Sequence, residues 1–339
     1  MNKRFPMPMP FGWFCIGYGD ELAVGEVKNV HYFDRDMVLF RTESGKIGLS
    51  DPVCPHLGAH LGHGGTVQGE SIRCAFHHWQ YDTQGVITDI PYASRIPPKW
   101  EGKPCLKTYP VCEKNEVIWA WYHPEDAAPD QEVIELDEIK DPEWVDQERY
   151  FWSFDSCPQE IAENGVDVAH FKYIHNMDAV PQGETTFEGH IRRSKVRGPR
   201  TMTNAAGEQV VIESGVDVVQ NGAGQKWTRF SGMVDYLLQV LVTPVNDERV
   251  EVRFAYTHKK YPEDSFEYKT LREGIAATNG QRGLDGDIPI WQNKFHLREP
   301  ILCDGDGPIM RFRKYFAQFY VGGPYGDEGD MPSDLEAVS

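Results

Sequence analysis

The strongest constraint in this 339-residue chain is the order of four residues: Cys54-Pro55-His56 and, seventeen residues later, Cys74-Ala75-Phe76-His77. Two thiols and two imidazoles at short spacing form a metal-binding set. A [2Fe–2S] cluster is usually held by four thiolates, and replacing two of them with imidazoles on one iron raises its potential to roughly −150 to +300 mV. Each segment would supply one Cys and one His, with Cys54 and Cys74 on one iron and His56 and His77 on the other. Gly58, Gly62, Gly64 and Gly65 permit the tight turns and amide-to-sulfur approaches that such a cluster needs. A structural zinc ion competes for the same residues, since zinc also accepts two Cys and two His. Zinc fingers and ribbons pair like with like, whereas the two residue types alternate here, which favours the iron–sulfur cluster.

The remaining cysteines and the charge balance narrow the setting. Seven cysteines, an odd number scattered over a long chain, suit a reducing compartment with free or metal-bound thiols, and cytoplasm is the expected location. The net charge of −18 argues against nucleic acid and anionic membranes as partners. The most basic stretch, Arg192 to Arg200, reads as a solvated turn. No segment reaches the ~20 apolar residues of a membrane span, and Met1 to Pro10, with three prolines, does not read as a signal peptide.

Length suggests two domains, expected at 1–125 and 126–339. The first third reads as short strands broken by Gly, Pro and Asp. Val38–Thr42 and Lys46–Leu49 flank Glu43-Ser44-Gly45 as a hairpin, and Val117–Tyr122 is a further strand. His123–Asp130 reads as a linker. Beyond it, helices are expected at Glu160–Ile174, Tyr268–Thr278 and Pro308–Val321, and strands at Val210–Ile212, Met233–Val242 and Arg249–Tyr256. The last helix aligns Ile309, Phe312, Phe316 and Phe319 on one face behind Pro308.

A second histidine pair lies in the expected helix, as Asp167-Val168-Ala169-His170-Phe171-Lys172-Tyr173-Ile174-His175. Residues five apart point about 140° away from each other on a regular helix. Joint ligation would need a π-like turn or a helix that ends between them. From the residues alone, two unrelated histidines on an amphipathic helix are the favoured explanation of the pattern.

The stretches Cys54-Pro55-His56-Leu57-Gly58-Ala59 and Cys74-Ala75-Phe76-His77-His78-Trp79 resemble the Rieske domain of ring-hydroxylating and related non-haem iron oxygenases. The family often has Pro where Ala75 stands and usually Gly where His78 stands; neither is a ligand. His60 and His63 read as loop residues. Asp167-x2-His170-x4-His175, Asp287–Lys294 and Asp306–Tyr320 extend the resemblance over nearly the whole chain. They resemble, in particular, the oxygenase component of 3-ketosteroid 9α-hydroxylases and related sterol-modifying Rieske proteins.

The resemblance implies an α+β chain: an N-terminal all-β Rieske [2Fe–2S] domain and a C-terminal helix-grip catalytic domain, with an antiparallel sheet around a long helix. It implies a mononuclear Fe(II) held by His170, His175 and a carboxylate completing a facial triad. That carboxylate is expected just before the last helix, at Asp306 or, as second choice, Asp304, although either could merely cap the helix. Asp167, one turn before His170, would bridge the cluster ligand His77 of a neighbouring subunit to His170. Asn164 is a weaker candidate for a side chain near the iron.

The implied reaction uses O2 to hydroxylate a bulky apolar substrate of steroid-like kind. Aromatic-ring dihydroxylation and O-demethylation are alternatives within the family. The chain has no Gly-x-Gly-x-x-Gly dinucleotide fingerprint, so NADH or NADPH would act through a separate reductase, directly or by way of a ferredoxin. A homotrimer is implied as well. The competing class is a Rieske electron carrier, which needs neither the second domain nor His170, His175 and Asp306.

Overall fold

The computed structural model describes residues 3–177, 179–203, 207–232 and 234–325. The chain divides into two compact units, Trp13–Glu132 and a second formed by Met1–Gly12 together with Val133–Ser339. The division therefore falls after 132 rather than 125. Residues beyond His123 remain tied to the first unit, as where Trp121 Nε1 donates to the Ala127 carbonyl at 2.8 Å. At the other end, Phe5 and Met7 are buried, and the Phe11 amide donates to the Phe319 carbonyl at 2.8 Å.

The first unit is built from strands β1 (Gly12–Tyr18), β2 (Val27–Tyr32), β3 (Arg35–Arg41), β4 (Ile47–Ser50), β5 (Thr66–Gln68), β6 (Ser71–Arg73), β7 (Gln80–Asp82), β8 (Ile87–Asp89), β9 (Val111–Lys114) and β10 (Val117–Tyr122). They form three small sheets, ordered β1-β10-β9, β2-β3-β4 and β5-β6-β7-β8. The Glu43-Ser44-Gly45 hairpin forms as expected: Arg41 pairs with Ile47, and the Thr42 amide bonds to the Lys46 carbonyl at 2.8 Å. Two-residue turns at Phe33-Asp34 and Asn115-Glu116, all at positive φ, close the β2–β3 and β9–β10 hairpins.

The second unit holds one seven-stranded antiparallel sheet. Its strands are β11 (Glu148–Asp155), β12 (Gln182–Glu188), β13 (Ile191–Thr203), β14 (Gln209–Asn221), β15 (Gln225–Ser231), β16 (Tyr236–Asn246) and β17 (Arg249–His258), in the order β11-β17-β16-β15-β14-β13-β12. Helices α1 (Pro158–Glu163), α2 (His170–Tyr173), α3 (Phe266–Asn279), α4 (Leu284–Trp291) and α5 (Ile309–Ala317) complete it. Alternation along the strands separates two apolar layers. Leu238, Val240, Val242, Val252 and Phe254 pack with Leu271 and Ile275 of α3 and Leu284 and Trp291 of α4, while Val219, Trp227 and Leu237 pack on the opposite side with Leu136. The longest helix thus sits against the sheet's inner face, as a helix-grip arrangement requires.

Several sequence expectations are redrawn. Arg192–Arg200 is no solvated turn but part of β13, and Arg192 is fully buried. The strand expected at Val210–Ile212 runs from Gln209 to Asn221. The one expected from Met233 begins at Tyr236, with Met233 itself outside the described residues. The expected helix Glu160–Ile174 is two short helices joined by an irregular segment. That break positions the second site.

Candidate cluster and mononuclear metal sites

In the first unit, Cys54 and Cys74 begin two loops of the same construction. The Cys54 amide donates to the Ala59 carbonyl, and the Cys54 carbonyl accepts from the Gly58 amide. The Cys74 amide donates to the Trp79 carbonyl, and the Cys74 carbonyl accepts from the His78 amide. Gly58 and His78 hold equivalent places, at φ +78° and +59°. The second loop therefore asks a residue with a Cβ to adopt the left-handed conformation that glycine takes freely, which accounts for glycine being usual there in the family.

Both thiols are buried, and Cys54 Sγ lies 3.2 Å from the Tyr81 hydroxyl. Burial pushes the Cys54 thiol above its ordinary value, so the free thiolate is disfavoured until a metal takes the proton's place. The His56 and His77 rings meet edge-on with centroids 4.8 Å apart, and Trp79 stacks on His56 at 4.3 Å. His77 Nδ1 is buried with no hydrogen-bond partner, as a nitrogen reserved for a metal would be. Donors around one tetrahedral ion lie about 3.3–3.8 Å apart. Among the described residues, the only set of three or more ligand-type side chains with donor atoms within 4.8 Å of one another lies elsewhere. Two sulfurs and two imidazoles spread more widely fit a two-iron cluster better than one zinc ion.

That other set is His170, His175 and Asp287. Helix α1 ends at Glu163, the chain runs irregularly through Asn164–Ala169, and α2 makes a single turn from His170 to Tyr173. His175 lies beyond the helix end, so the 140° separation of a regular helix does not apply. The two Nε2 atoms stand 3.1 Å apart, and His175 Nε2 is 3.5 Å from Asp287 Oδ2. Donors at right angles on a metal with bonds of about 2.1 Å would be separated by about 3 Å, close to the two separations His175 makes, and all three donors lie within 4.8 Å of one another.

The surrounding groups orient these donors. His170 Nδ1 lies 2.5 Å from the Asp167 carbonyl, which turns Nε2 inward, and Asp167 Oδ1 accepts from the His170 amide at 3.4 Å. Burial would raise the Asp167 carboxyl, but its bonds and charge attraction to His170 hold it below its ordinary value. Asn164 Nδ2 donates to Asp287 Oδ2 at 3.1 Å, so Asn164 stands beside the site as its candidacy suggested. Burial pushes Asp287 up to about 6, and burial followed by the nearby His170 charge pushes His175 down to about 4. Both shifts follow from burial, and a bound divalent cation would favour the carboxylate and the neutral imidazole as ligands. The residues present fit a two-His-one-carboxylate iron site.

Asp306 is not brought to this set. Its Oδ2 accepts from the Cys303 amide at 2.7 Å, closing a tight turn ahead of α5, and Asp304 is exposed. The turn does approach the site segment: a Cβ on Gly307, at φ +75°, would come within 2.4 Å of the Val166 carbonyl. The carboxylate instead folds back on its own loop, and it does not cap α5 either, whose N-cap position is Pro308 with no side-chain cap bond. Asp287 was passed over because it ends a Gly/Asp-rich stretch. The available signal was its place in Leu284-Asp285-Gly286-Asp287-Ile288-Pro289-Ile290-Trp291, where a helix presents a carboxylate among apolar residues.

Comparison with known proteins agrees with both sites. Residues 12–110 match the Rieske [2Fe-2S] domain, and residues 120–320 match the 3-ketosteroid 9alpha-hydroxylase C-terminal domain. A 3-ketosteroid-9-alpha-monooxygenase oxygenase component from Rhodococcus rhodochrous is 30% identical over 91% of this chain and 80% of its own length. A cholesterol 7-desaturase from Xenopus laevis is 29% identical over 94% of this chain and 74% of its own. Dicamba monooxygenase, solved with non-heme iron and dicamba, shares the fold at a TM-score of 0.69 and 15% identity, over 94% of this chain and 98% of that one. Two metal sites of matching donor chemistry, each in the unit that its family match covers, lead to one assignment: the chain belongs to the Rieske non-haem iron oxygenases, as an oxygenase component with the C-terminal domain of the 3-ketosteroid 9α-hydroxylases.

Proposed function

We propose that this oxygenase hydroxylates a bulky, largely apolar substrate of steroid or sterol type, with His170, His175 and Asp287 as its iron ligands. The observation that carries this reading is the convergence of those three side chains on one point in the sheet-and-helix unit. Iron bound there supplies dioxygen activation, using electrons delivered through the [2Fe–2S] cluster. Overall, one oxygen atom enters a C–H bond, the other leaves as water, and two electrons and two protons are consumed. The protein's part is to fix the ligand set: Asn164 orients Asp287, and the Asp167 backbone orients His170. His170, His175 and Asp287 would hold the metal from the protein side and leave room for dioxygen and substrate beside it. In this reading the chain works as a homotrimer in which the Asp167 carboxylate, 3.9 Å from His170 Nδ1, connects that histidine with His77 of a neighbouring subunit. A separate reductase, alone or with a ferredoxin, feeds the cluster. Free thiols suit a cytoplasmic setting, and among the described residues no helix is long and apolar enough to cross a membrane.

Iron analysis separates this reading from a simple electron carrier, because an oxygenase holds three irons per chain and a carrier two. The decisive measurement is single-turnover product analysis, with chemically reduced protein given O2 and a panel of steroids, sterols and aromatic acids. An oxygenated steroid or sterol is expected. Products from aromatic acids alone would overturn the substrate assignment.

A further inference from the structure

The inner face of the seven-stranded sheet carries a polar row through its apolar layer. Arg192 of β13 pairs in register with Gln220 of β14, Gln220 with Lys226 of β15, and Lys226 with Val240 of β16. Register partners share a face. Val240 belongs to the core packed against the helices, whereas Val219 and Trp227, one residue along, face the other layer. All three polar side chains therefore point toward the helices that carry the iron ligands.

The surroundings of Arg192 and Gln220 leave polar atoms of both unsatisfied. Arg192 is 0% exposed, and none of its guanidinium nitrogens has a hydrogen-bond partner. It sits over the Phe312 ring at 5.6 Å and against Gly165, where a Cβ would come within 3.0 Å of both terminal nitrogens. Lys226 and Gln220 line a small pocket walled by Ile161, Ala162, Val240 and Val242. Lys226 is half-buried and lines this pocket. Gln220 Oε1 is buried and also without a partner. Among the described residues, no carboxylate forms an ion pair with Arg192 or Lys226. Asp287 attracts Lys226, but its carboxylate is already bonded by Asn164 and turned to His175. Burial pushes Arg192 down to about 10; burial, with the Arg192 charge added, pushes Lys226 to about 7.

A buried guanidinium without an ion-pair partner is costly, and the fork of an Arg with free N–H groups matches a carboxylate. We propose that Arg192 and Lys226, with Gln220 between them, receive a carboxylate on an otherwise apolar substrate, so that the enzyme acts on an organic acid. This rests on the reading of His170, His175 and Asp287 as the oxygenation site, and it narrows that site's substrate class. Gly165, against which Arg192 packs, directly follows Asn164, which holds Asp287. An acid group anchored on this row thus lies close to the iron ligands and fixes which part of the apolar body faces them. A neutral analogue would leave the Arg192 guanidinium without an ionic partner, so discrimination arises from unpaired groups.

The test is equilibrium binding to the intact holoprotein by calorimetry. The probes are a steroid carboxylic acid and an aryl-substituted fatty acid, each with its own methyl ester. At least one acid should bind ten-fold or more tighter than its ester, and Lys226→Met should bring that ratio near one. Arg192→Gln should do the same; if it fails to fold, the wild-type ratio and Lys226→Met still decide. Equal binding of acid and ester, no binding of either acid, or an unchanged ratio in Lys226→Met would overturn the proposal. So would formate displacing the acids at equal concentration, which would mark a site for any small anion. Iron content of the same sample keeps the two readings apart. Three irons without acid preference removes only the carboxylate receptor, whereas two irons removes the oxygenation site itself.

Discussion

At the residue scale, the two candidate carboxylates make opposed predictions. Asp287→Asn should lower iron from three to two per chain while leaving the cluster's visible spectrum intact, because only the mononuclear ligand is lost. Asp306→Asn should keep all three, since its carboxylate serves the Cys303 turn. The reverse result would restore Asp306 as ligand. Asp167→Asn should retain both metals yet slow turnover by about 10–100-fold, the usual range for a group that supports a metal ligand. Normal turnover in that variant would remove Asp167 from the electron route. The four cluster ligands were legible in the sequence because two short loops contain both members of each Cys-His set. Asp287 was not, because it lies 112 residues beyond His175 and only folding brings the two within 3.5 Å. Arg192 was misjudged for a related reason: a run of basic residues gives no sign of which member a strand turns inward.

At the element scale, the break between α1 and α2 does what the sequence could state only as a condition. Ending α2 at Tyr173 lets His175 swing back toward His170, a choice that periodicity alone left open. Helix α1 is fixed by a buried charge network. His296 Nδ1 bonds to Glu160 Oε1 at 2.6 Å, and Lys294 Nζ lies 2.5 Å from Oε2. Burial raises the Glu160 carboxyl, but the His296 bond and the Lys294 charge outweigh it and hold the group at about 2, below its ordinary 4.5. A carboxyl whose folded value is depressed contributes stability that is fully present above about pH 4.5 and is lost as pH falls toward 2. Urea midpoints measured from pH 7 to pH 3 should therefore fall more steeply for the wild type than for Glu160→Gln. Parallel slopes would show that this network does not govern acid sensitivity. Strand boundaries in β13 and β14 were read too short because charged and polar residues interrupt their apolar alternation, while pairing with neighbouring strands carries them on.

At the scale of the whole molecule, each unit holds one metal site, and the two must exchange electrons. If the cluster of one chain serves the iron of its neighbour, two inactive variants should rescue each other. Mixed oligomers of Cys54→Ser and Asp287→Asn chains, refolded or co-expressed, should regain part of wild-type turnover, whereas either alone has none. Mixed oligomers that stay inactive would place the electron route within a single chain. The general two-unit plan was legible because an aromatic strand at Val117–Tyr122 is followed by a Pro- and acid-rich segment. The placement of the first residues was not, since three prolines near Met1 suggest a loose end and say nothing of a destination.

That placement governs how the chain can be assembled. Arg4 donates to the carbonyls of Trp291 and Gln292, and Phe11 bonds to Phe319 across more than 300 residues of sequence. The segment Arg4–Phe11 is made well before residues 291–319 and finds its seat only when those have followed. The intervening β unit can close on its own contacts in the meantime, while the other unit is closed by contacts between segments that flank it in sequence. Folding of that unit is expected to be post-translational and slow, because its fastening contacts are the most distant in sequence. Cutting the chain at residue 126 would separate the sheet from its own clasp.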